Sequence, residues 1–427
     1  MTRDRFFTPE PPNVFEGHIK EYYERVRERS PTLDAVCGKW DFDDLIPGLS
    51  DFDARFIFSD GTQAEDWPEI SRAVGEVHTA ICREDPSRAR ILEHLPGINL
   101  IWSEVMDPLS YYPEFKQWTF YHGPDGRIDE LEDYLTGQPW NSVDELFSLK
   151  KFATYYTPYD RDIDPPINLH EFESKYPLHS RVMHYFCPPL QSLVSIRLKR
   201  MIRGKHETFS LARDCFAGGE LIDEVFDILE CHYEKPELYD DPRQMEFETK
   251  LYDYLVNAYR TVAPMIEIFT AFPGDTRREI LDKCALVSTD LWSRLFAGVK
   301  FSRLMMGRLC FYAESIPHFD SIWLIENELK RLINMFYVTT LTAFGVIIWG
   351  DELLPEEVLN RLRGKFLTVS ECEVIEAFAD IFNHGYEVAT IKDIAREIAK
   401  RMESFQKVLE KLMHIAREHL EERSELS

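Results

Sequence analysis

A chain of 427 residues with 44% hydrophobic and 13% aromatic content is longer than one hydrophobic core usually grows and is not the composition of a disordered protein, so two domains are expected. Its 49 basic and 75 acidic residues leave a formal charge of -26, which repels polyphosphate backbones and argues against nucleic acid as a partner. The eight cysteines include no C-x-x-C pair and no zinc-type spacing, and the N-terminus lacks the apolar run of a signal peptide, so a cytoplasmic protein with free thiols is expected.

In chain order, Phe15, Ile19, Tyr22, Tyr23 and Val26 recur at three- and four-residue spacing, which predicts an amphipathic helix over Pro12 to Ser30. A short segment, Asp34 to Trp40, separates it from Phe52-Asp-Ala-Arg-Phe-Ile-Phe, whose apolar and aromatic content predicts a buried strand closed by the turn Ser59-Asp-Gly-Thr. Ile70, Val74, Val77 and Ile81 predict a helix over Trp67 to Cys82, and Pro96-Gly97 opens a second strand-like run, Ile98 to Val105. Gln117 to His122, followed by Gly-Pro-Asp-Gly, predicts one more strand and a turn. The Tyr- and Pro-rich stretch from Tyr155 to Pro166 marks a domain boundary.

Beyond that boundary, Glu171 to Ser427 reads as long helices punctuated by Pro236, Pro264, Pro273, Pro317 and Pro355. The uncharged run Met335 to Trp349 is 15 residues, short for a membrane span, and predicts a buried core helix rather than a membrane partner. The apolar stripe from Ile394 to Ile415 predicts a bundle helix over Ile391 to Leu420, the candidate surface for self-association. The fold class expected is α+β: a mixed sheet with flanking helices over residues 1–160, then an all-helical domain over residues 161–427.

Asp51 and Asp53 alternate at the start of the predicted strand, and side chains two apart on a strand share a face, so both carboxylates can grip one metal site. Magnesium is held by one or two carboxylates together with substrate phosphates, the charge neutralisation that phosphoryl transfer needs. The stretch from Gly38 to Phe58, with Gly38 opening a loop and Ser50-Asp-Phe-Asp following about a dozen residues later, resembles the signature of the DNA-polymerase-β-like nucleotidyltransferase superfamily. The resemblance runs from Cys37 to Val105 and is nearest to the small-molecule, aminoglycoside-type enzymes, in which a helical domain follows the catalytic one.

That resemblance implies that Gly38, Lys39 and Ser50 lie where the loop holds a nucleoside triphosphate such as ATP, and that Asp51 and Asp53 hold one or two magnesium ions. It also implies a third carboxylate on a later strand, for which Glu104 is the first candidate and Asp107 the second. Lys39 stands where the family has serine; a lysine pairs with phosphate as a point charge but does not reproduce a hydroxyl. The implied function is metal-dependent transfer of a nucleoside monophosphate from the triphosphate to a hydroxyl of a small molecule, releasing pyrophosphate. Net acidity inclines that acceptor toward a cation. Two rivals remain: a binding module on the same fold without catalysis, and a protein-modifying nucleotidyltransferase whose helical domain docks the target.

Other polar groups have plainer expectations. His170, His179, His184, His206 and His232 contain no H-E-x-x-H pair and read as structural or surface residues. Lys199, Arg200, Arg203 and Lys205 form a local basic patch expected to be a solvated helix face, and Tyr155, Tyr156 and Tyr159 are expected to pack between domains.

Overall fold

The structure is a computed structural model that describes residues 14–45, 52–92, 94–155, 186–230, 244–287, 291–314, 321–383 and 391–425. The first helix, α1 (Val14–Arg29), buries Phe15, Ile19, Tyr22, Tyr23 and Val26, the stripe that the spacing predicts. Four strands follow, β1 (Leu33–Gly38), β2 (Ala54–Phe58), β3 (Ile98–Ile101) and β4 (Thr119–His122), in one mixed sheet of order β3-β2-β1-β4. β1 is antiparallel to both its neighbours. β2 and β3 are parallel, and the chain crosses between them through α2 (Trp67–Glu84), the kind of long connection a parallel pair requires.

Strand alternation gives β2 two different faces. Phe56 and Phe58 point to the helical side, their ring centroids 5.8 Å from Tyr22 of α1 and 5.0 Å from Trp67 of α2. Arg55 points the other way, toward the turn of 3-10 helix Pro113–Gln117.

The second strand-like run is shorter than its sequence suggests, because Trp102–Val105 turns into a single turn of helix. β2 ends at Phe58, which pairs with Ile101, so no partner strand remains for the residues that follow. Glu104 folds back to accept the Ile101 N–H at 3.0 Å, and Asp60 accepts the Ser103 N–H at 2.7 Å.

The remaining long helices are α3 (Asp125–Thr136), α4 (Ser142–Tyr155), α5 (Cys187–Leu198), α6 (Lys205–Cys215), α7 (Gly219–Glu230), α8 (Gln244–Val262) and α9 (Arg277–Val287). They are followed by α10 (Leu291–Ser302), α11 (Met305–Ala313), α12 (Ser321–Arg331), α13 (Thr340–Trp349), α14 (Pro355–Leu362), α15 (Val369–Asn383) and α16 (Ile391–Glu425). A π-helical stretch, Leu332–Thr339, joins α12 to α13.

The buried apolar residues form two cores. One holds α1 to α3, the sheet, and α10 to α16; the other holds α4 to α9. The boundary expected at residue 160 falls outside the described residues, but the core changes hands earlier, between Leu135 and Leu149, and α10 returns the chain to the core of the sheet. The helical half is therefore shared between two cores. The run Met335–Trp349 belongs to a longer continuous helix, Glu328–Trp349, whose 22 residues are enough to span a membrane by length and composition. Here its Phe336, Leu341, Phe344 and Ile347 are packed in the first core, while Val338 is exposed. The burial expected of this segment is thus one-sided.

Candidate functional site

The β1–β2 pair brings two of the sequence candidates together. Its register sets Gly38 against Ala54, which places Lys39, leaving β1, opposite Asp53, entering β2. Ser50 and Asp51 lie outside the described residues. Gly38 has a packing reason of its own: a Cβ there would stand 2.6 Å from the Tyr121 hydroxyl, which donates to the Trp40 carbonyl. A side chain at 38 would displace that tyrosine whether or not a phosphate is bound.

Asp53 is half-exposed, and among the described residues no hydrogen bond reaches its carboxylate. Arg55, two residues on and on the same face, places Nη1 3.7 Å from the Asp53 Oδ1 and donates to the Asp53 and Ala54 carbonyls. Burial opposes ionisation of Asp53, but the charges of Arg55, His94 and Lys39 outweigh it and hold the carboxyl below its ordinary range.

Arg55 is buried, and its Nε donates to Glu114 Oε1 at 2.8 Å; the Trp118 indole N–H donates to the same oxygen at 3.2 Å. Burial again opposes the charge on Glu114, yet Arg55 and Lys39 bring its carboxyl down to about 2. Asp53, Arg55 and Glu114 thus form a charged line across the sheet face that α1 and α2 leave uncovered.

Two further lysines face this line. Lys151, on α4, donates to Gln191 Oε1 at 3.0 Å and feels the charge of Lys39. Burial is the larger cause, and the Lys39 charge the next, of a Lys151 pKa well below the ordinary lysine value. Lys300, on α10, is buried with its Nζ 4.0 Å from the Tyr112 ring centroid, and burial lowers its pKa to about 8 against the pull of Glu114. Lys39 itself rests 4.7 Å from the Trp40 ring, which also carries Lys205 at 4.9 Å. Lys39, Arg55, Lys151 and Lys300 therefore all act on Glu114, while Asp53 feels Arg55, His94, Lys39 and Arg308, a basic grouping on a protein that is strongly acidic overall. Such a surplus favours an anion.

Glu104 is not part of this group. Asp53 precedes the first residue of β2, whereas Glu104 follows the end of β3 that pairs with the last residue of β2. The length of β2 lies between them, on the order of 15 Å at the rise of a strand. Glu104 is buried against Arg303, with two hydrogen bonds of 2.6 Å. The second candidate, Asp107, caps its own turn through Leu109 N and Ser110 Oγ and pairs with Arg417 at 3.0 Å. Neither carboxylate faces Asp53 as the resemblance implies.

The residues of the basic patch each have partners. Lys199 pairs with Glu145 at 3.5 Å and Glu267 at 3.2 Å, Arg200 with Glu207 at 2.8 Å, Arg203 donates to the Lys116 carbonyl, and Lys205 Nζ donates to the Asp44 carbonyl. Arg200 and Arg203 remain exposed, as a solvated face would have them, whereas Lys205 is buried. Of the early histidines only His206 is among the described residues, on α6, and of the tyrosines only Tyr155, at the end of α4.

Arg55, Glu114, Lys151 and Lys300 were not singled out by their sequence pattern. Arg55 and Lys300 did leave a signal, since each is a charge inside an otherwise apolar run, Ala54–Phe58 and Leu295–Phe301. Glu114 and Lys151 left none, because only the tertiary fold brings them to β2.

Among the described residues no group of three or more His, Cys, Asp or Glu side chains is arranged to hold a metal ion. The unbonded oxygens of Asp53 suit one metal contact, and the surrounding cations suit phosphates that would accompany the metal. No family model, characterised protein or solved structure matches the chain.

Proposed function

We propose that this chain is a nucleotidyltransferase that binds a magnesium–nucleoside triphosphate at the edge of the β1–β2 pair. The observation that carries the reading is the placement of Lys39 opposite the half-exposed Asp53 with Arg55 beside it, while Lys151 and Lys300 lie near the neighbouring Glu114. A metal triphosphate is anionic overall, so it balances the surplus positive charge while offering Asp53 the cation that its carboxylate binds. The position of Asp53 at the start of β2, opposite the residue that follows Gly38, also supports the reading.

In this reading Lys39 replaces the family's serine hydroxyl with a positive charge directed at phosphate, and Lys151 and Lys300 neutralise charge that spreads over phosphoryl oxygens during transfer. Asp53, with Asp51 beside it in sequence, would hold the magnesium, which supplies electrophilic activation of the α-phosphate when bound. An acceptor hydroxyl oxygen forms its bond to the α-phosphorus, the bond from that phosphorus to the bridging oxygen breaks, and pyrophosphate leaves. The hydroxyl proton passes to solvent or to a neighbouring base.

A second reading, a binding module without catalysis, is favoured by one observation: Arg55 sits 3.7 Å from the Asp53 carboxylate, where it competes with a metal. Calorimetric titration with each of the four common triphosphates, with and without magnesium, separates the two. Magnesium-dependent binding that is lost in Asp53→Asn supports the transferase. Binding that ignores both magnesium and Asp53 supports the module, and no binding at millimolar triphosphate removes both.

A further inference from the structure

Arg55 is fixed by groups other than the carboxylate it stands beside. Its Nε donates to Glu114 Oε1 at 2.8 Å, and its Nη1 donates to the Asp53 and Ala54 carbonyls at 2.9 Å and 3.1 Å. The side chain is nine-tenths buried, and its backbone belongs to β2, which is paired with β1 on one flank and β3 on the other. Swinging the guanidinium away leaves Glu114 ionised and buried without its partner, a costly state. The positive charge 3.7 Å from Asp53 Oδ1 is therefore permanent.

For a divalent cation that charge is an obstacle. An ion on Asp53 meets Arg55 together with the charges of Lys39, His94 and Arg308, and one half-exposed carboxylate does not offset them. For an anion the same guanidinium is a handle. Nε and Nη1 are used internally, but among the described residues no group accepts from Nη2. A nitrogen with two N–H groups, on a buried side chain and left without an acceptor, suits a phosphate oxygen. Phosphate brings negative charge to the guanidinium and oxygen ligands to a metal at once, so each ligand improves the site for the other.

We propose that Arg55 makes this an anion-first site, one that holds a divalent cation only together with a phosphate chain gripped by Nη2. This rests on the nucleotidyltransferase reading for the nucleoside part of that ligand, though not for the exclusion of the bare metal. The 3.7 Å contact with Asp53 then couples metal to triphosphate instead of abolishing metal binding.

The test is equilibrium dialysis of the full chain against Mn2+ and inorganic tripolyphosphate, each alone and together, at about 0.15 M salt to suppress loose cation binding by the acidic surface. Mn2+ alone should be retained no better by the wild type than by Asp53→Asn. With tripolyphosphate present the wild type should retain one further Mn2+ per chain, at least about tenfold more tightly than without it, and Asp53→Asn should lose that ion. Arg55→Gln removes the charge and should retain Mn2+ alone at least about tenfold more tightly than the wild type while losing tripolyphosphate. Arg55→Lys keeps the charge and should still refuse the bare ion, a difference that a purely structural arginine would not produce. Circular dichroism and the melting temperature show that each variant is folded, and the comparison of wild type with Asp53→Asn decides even where Arg55→Gln does not fold. Asp53-dependent retention of Mn2+ by the wild type without phosphate overturns the proposal. So does failure to retain Mn2+ and tripolyphosphate together, or a folded Arg55→Gln that refuses Mn2+ as the wild type does. If the two are retained together but none of the four nucleoside triphosphates binds, the anion-first site stands and the transferase reading falls. If a magnesium triphosphate binds while bare Mn2+ is also held on Asp53, the transferase reading stands and the role of Arg55 falls.

Discussion

Arg303 closes on Glu104 from 199 residues away, through Nη1 and Nη2, each 2.6 Å from a carboxylate oxygen. The same guanidinium donates to Glu410 at 2.7 Å and to the Asn99 carbonyl at 2.9 Å, and lies 4.4 Å from the Trp67 ring centroid. One buried cation thus ties the end of β3 to α2 and α16. Removing one of its partners leaves charge buried with too little to balance it, which costs about 3 kcal/mol. Glu104→Ala should lose roughly that amount in urea denaturation and keep its triphosphate affinity. A variant that is fully stable but loses binding would place Glu104 in the site after all.

Lys300 makes anion binding sensitive to pH. Its pKa of about 8 in the folded protein lies below that of an exposed lysine, so the ammonium is present below about pH 8 and is lost above it. ATP affinity should therefore fall as pH rises through 8, and Lys300→Met should bind more weakly with a flatter profile. The free protein has the opposite trend. Between about pH 8 and 10.4 the unfolded lysine still holds a proton that the folded one has released, so this group adds stability as pH rises. Titration calorimetry and urea midpoints at pH 7 and pH 9 read the two effects separately.

The elements that bury one continuous stripe were legible from spacing. α1, α2 and α16 occur where Ile19, Ile70 and Ile398 repeat with their neighbours. The end of β3 was not legible, because Trp102-Ser-Glu-Val remains compatible with a strand until one knows that β2 stops at Phe58. At the site, Lys39 and Asp53 could be found from a local pattern, since a hairpin-like register unites them. The pairing of Glu104 was not legible, because its partner, Arg303, is remote in sequence and no periodicity encodes an ion pair of that kind. Lys151 is invisible for the same reason: α4 belongs to the other core, and only the packing of the two cores brings it to Lys39.

Gly75 and Gly307 let α2 and α11 cross at backbone contact. A Cβ on Gly75 would lie 2.6 Å from the Gly307 Cα, and one on Gly307 would fall on the Ser71 carbonyl oxygen. The Gly307 N–H donates to Ser71 Oγ at 3.0 Å, so the obstacle is fixed backbone and not a side chain that can turn away. Gly307→Ala should destabilise the protein by about 1–3 kcal/mol, the range for overpacking. Thermal or urea unfolding measures this; a loss under about 0.5 kcal/mol would mean that the helices separate easily and that the crossing contributes little.

His78 supplies an acid limit to stability. Its Nε2 is 2.6 Å from the Leu92 carbonyl, which can only accept, so Nε2 carries the proton and Nδ1 accepts from the Tyr22 hydroxyl at 3.1 Å. Burial lowers its pKa to about 3 from the ordinary 6.5. Above pH 6.5 both folded and unfolded forms are neutral. Below it the unfolded imidazole takes up a proton that the folded one refuses, and stability falls, by about 2 kcal/mol from this group alone between pH 7 and pH 5. His78→Gln, which can donate to Leu92 and accept from Tyr22, should shrink the difference between urea midpoints at those two values. An equal drop in wild type and variant would assign the acid sensitivity to other groups.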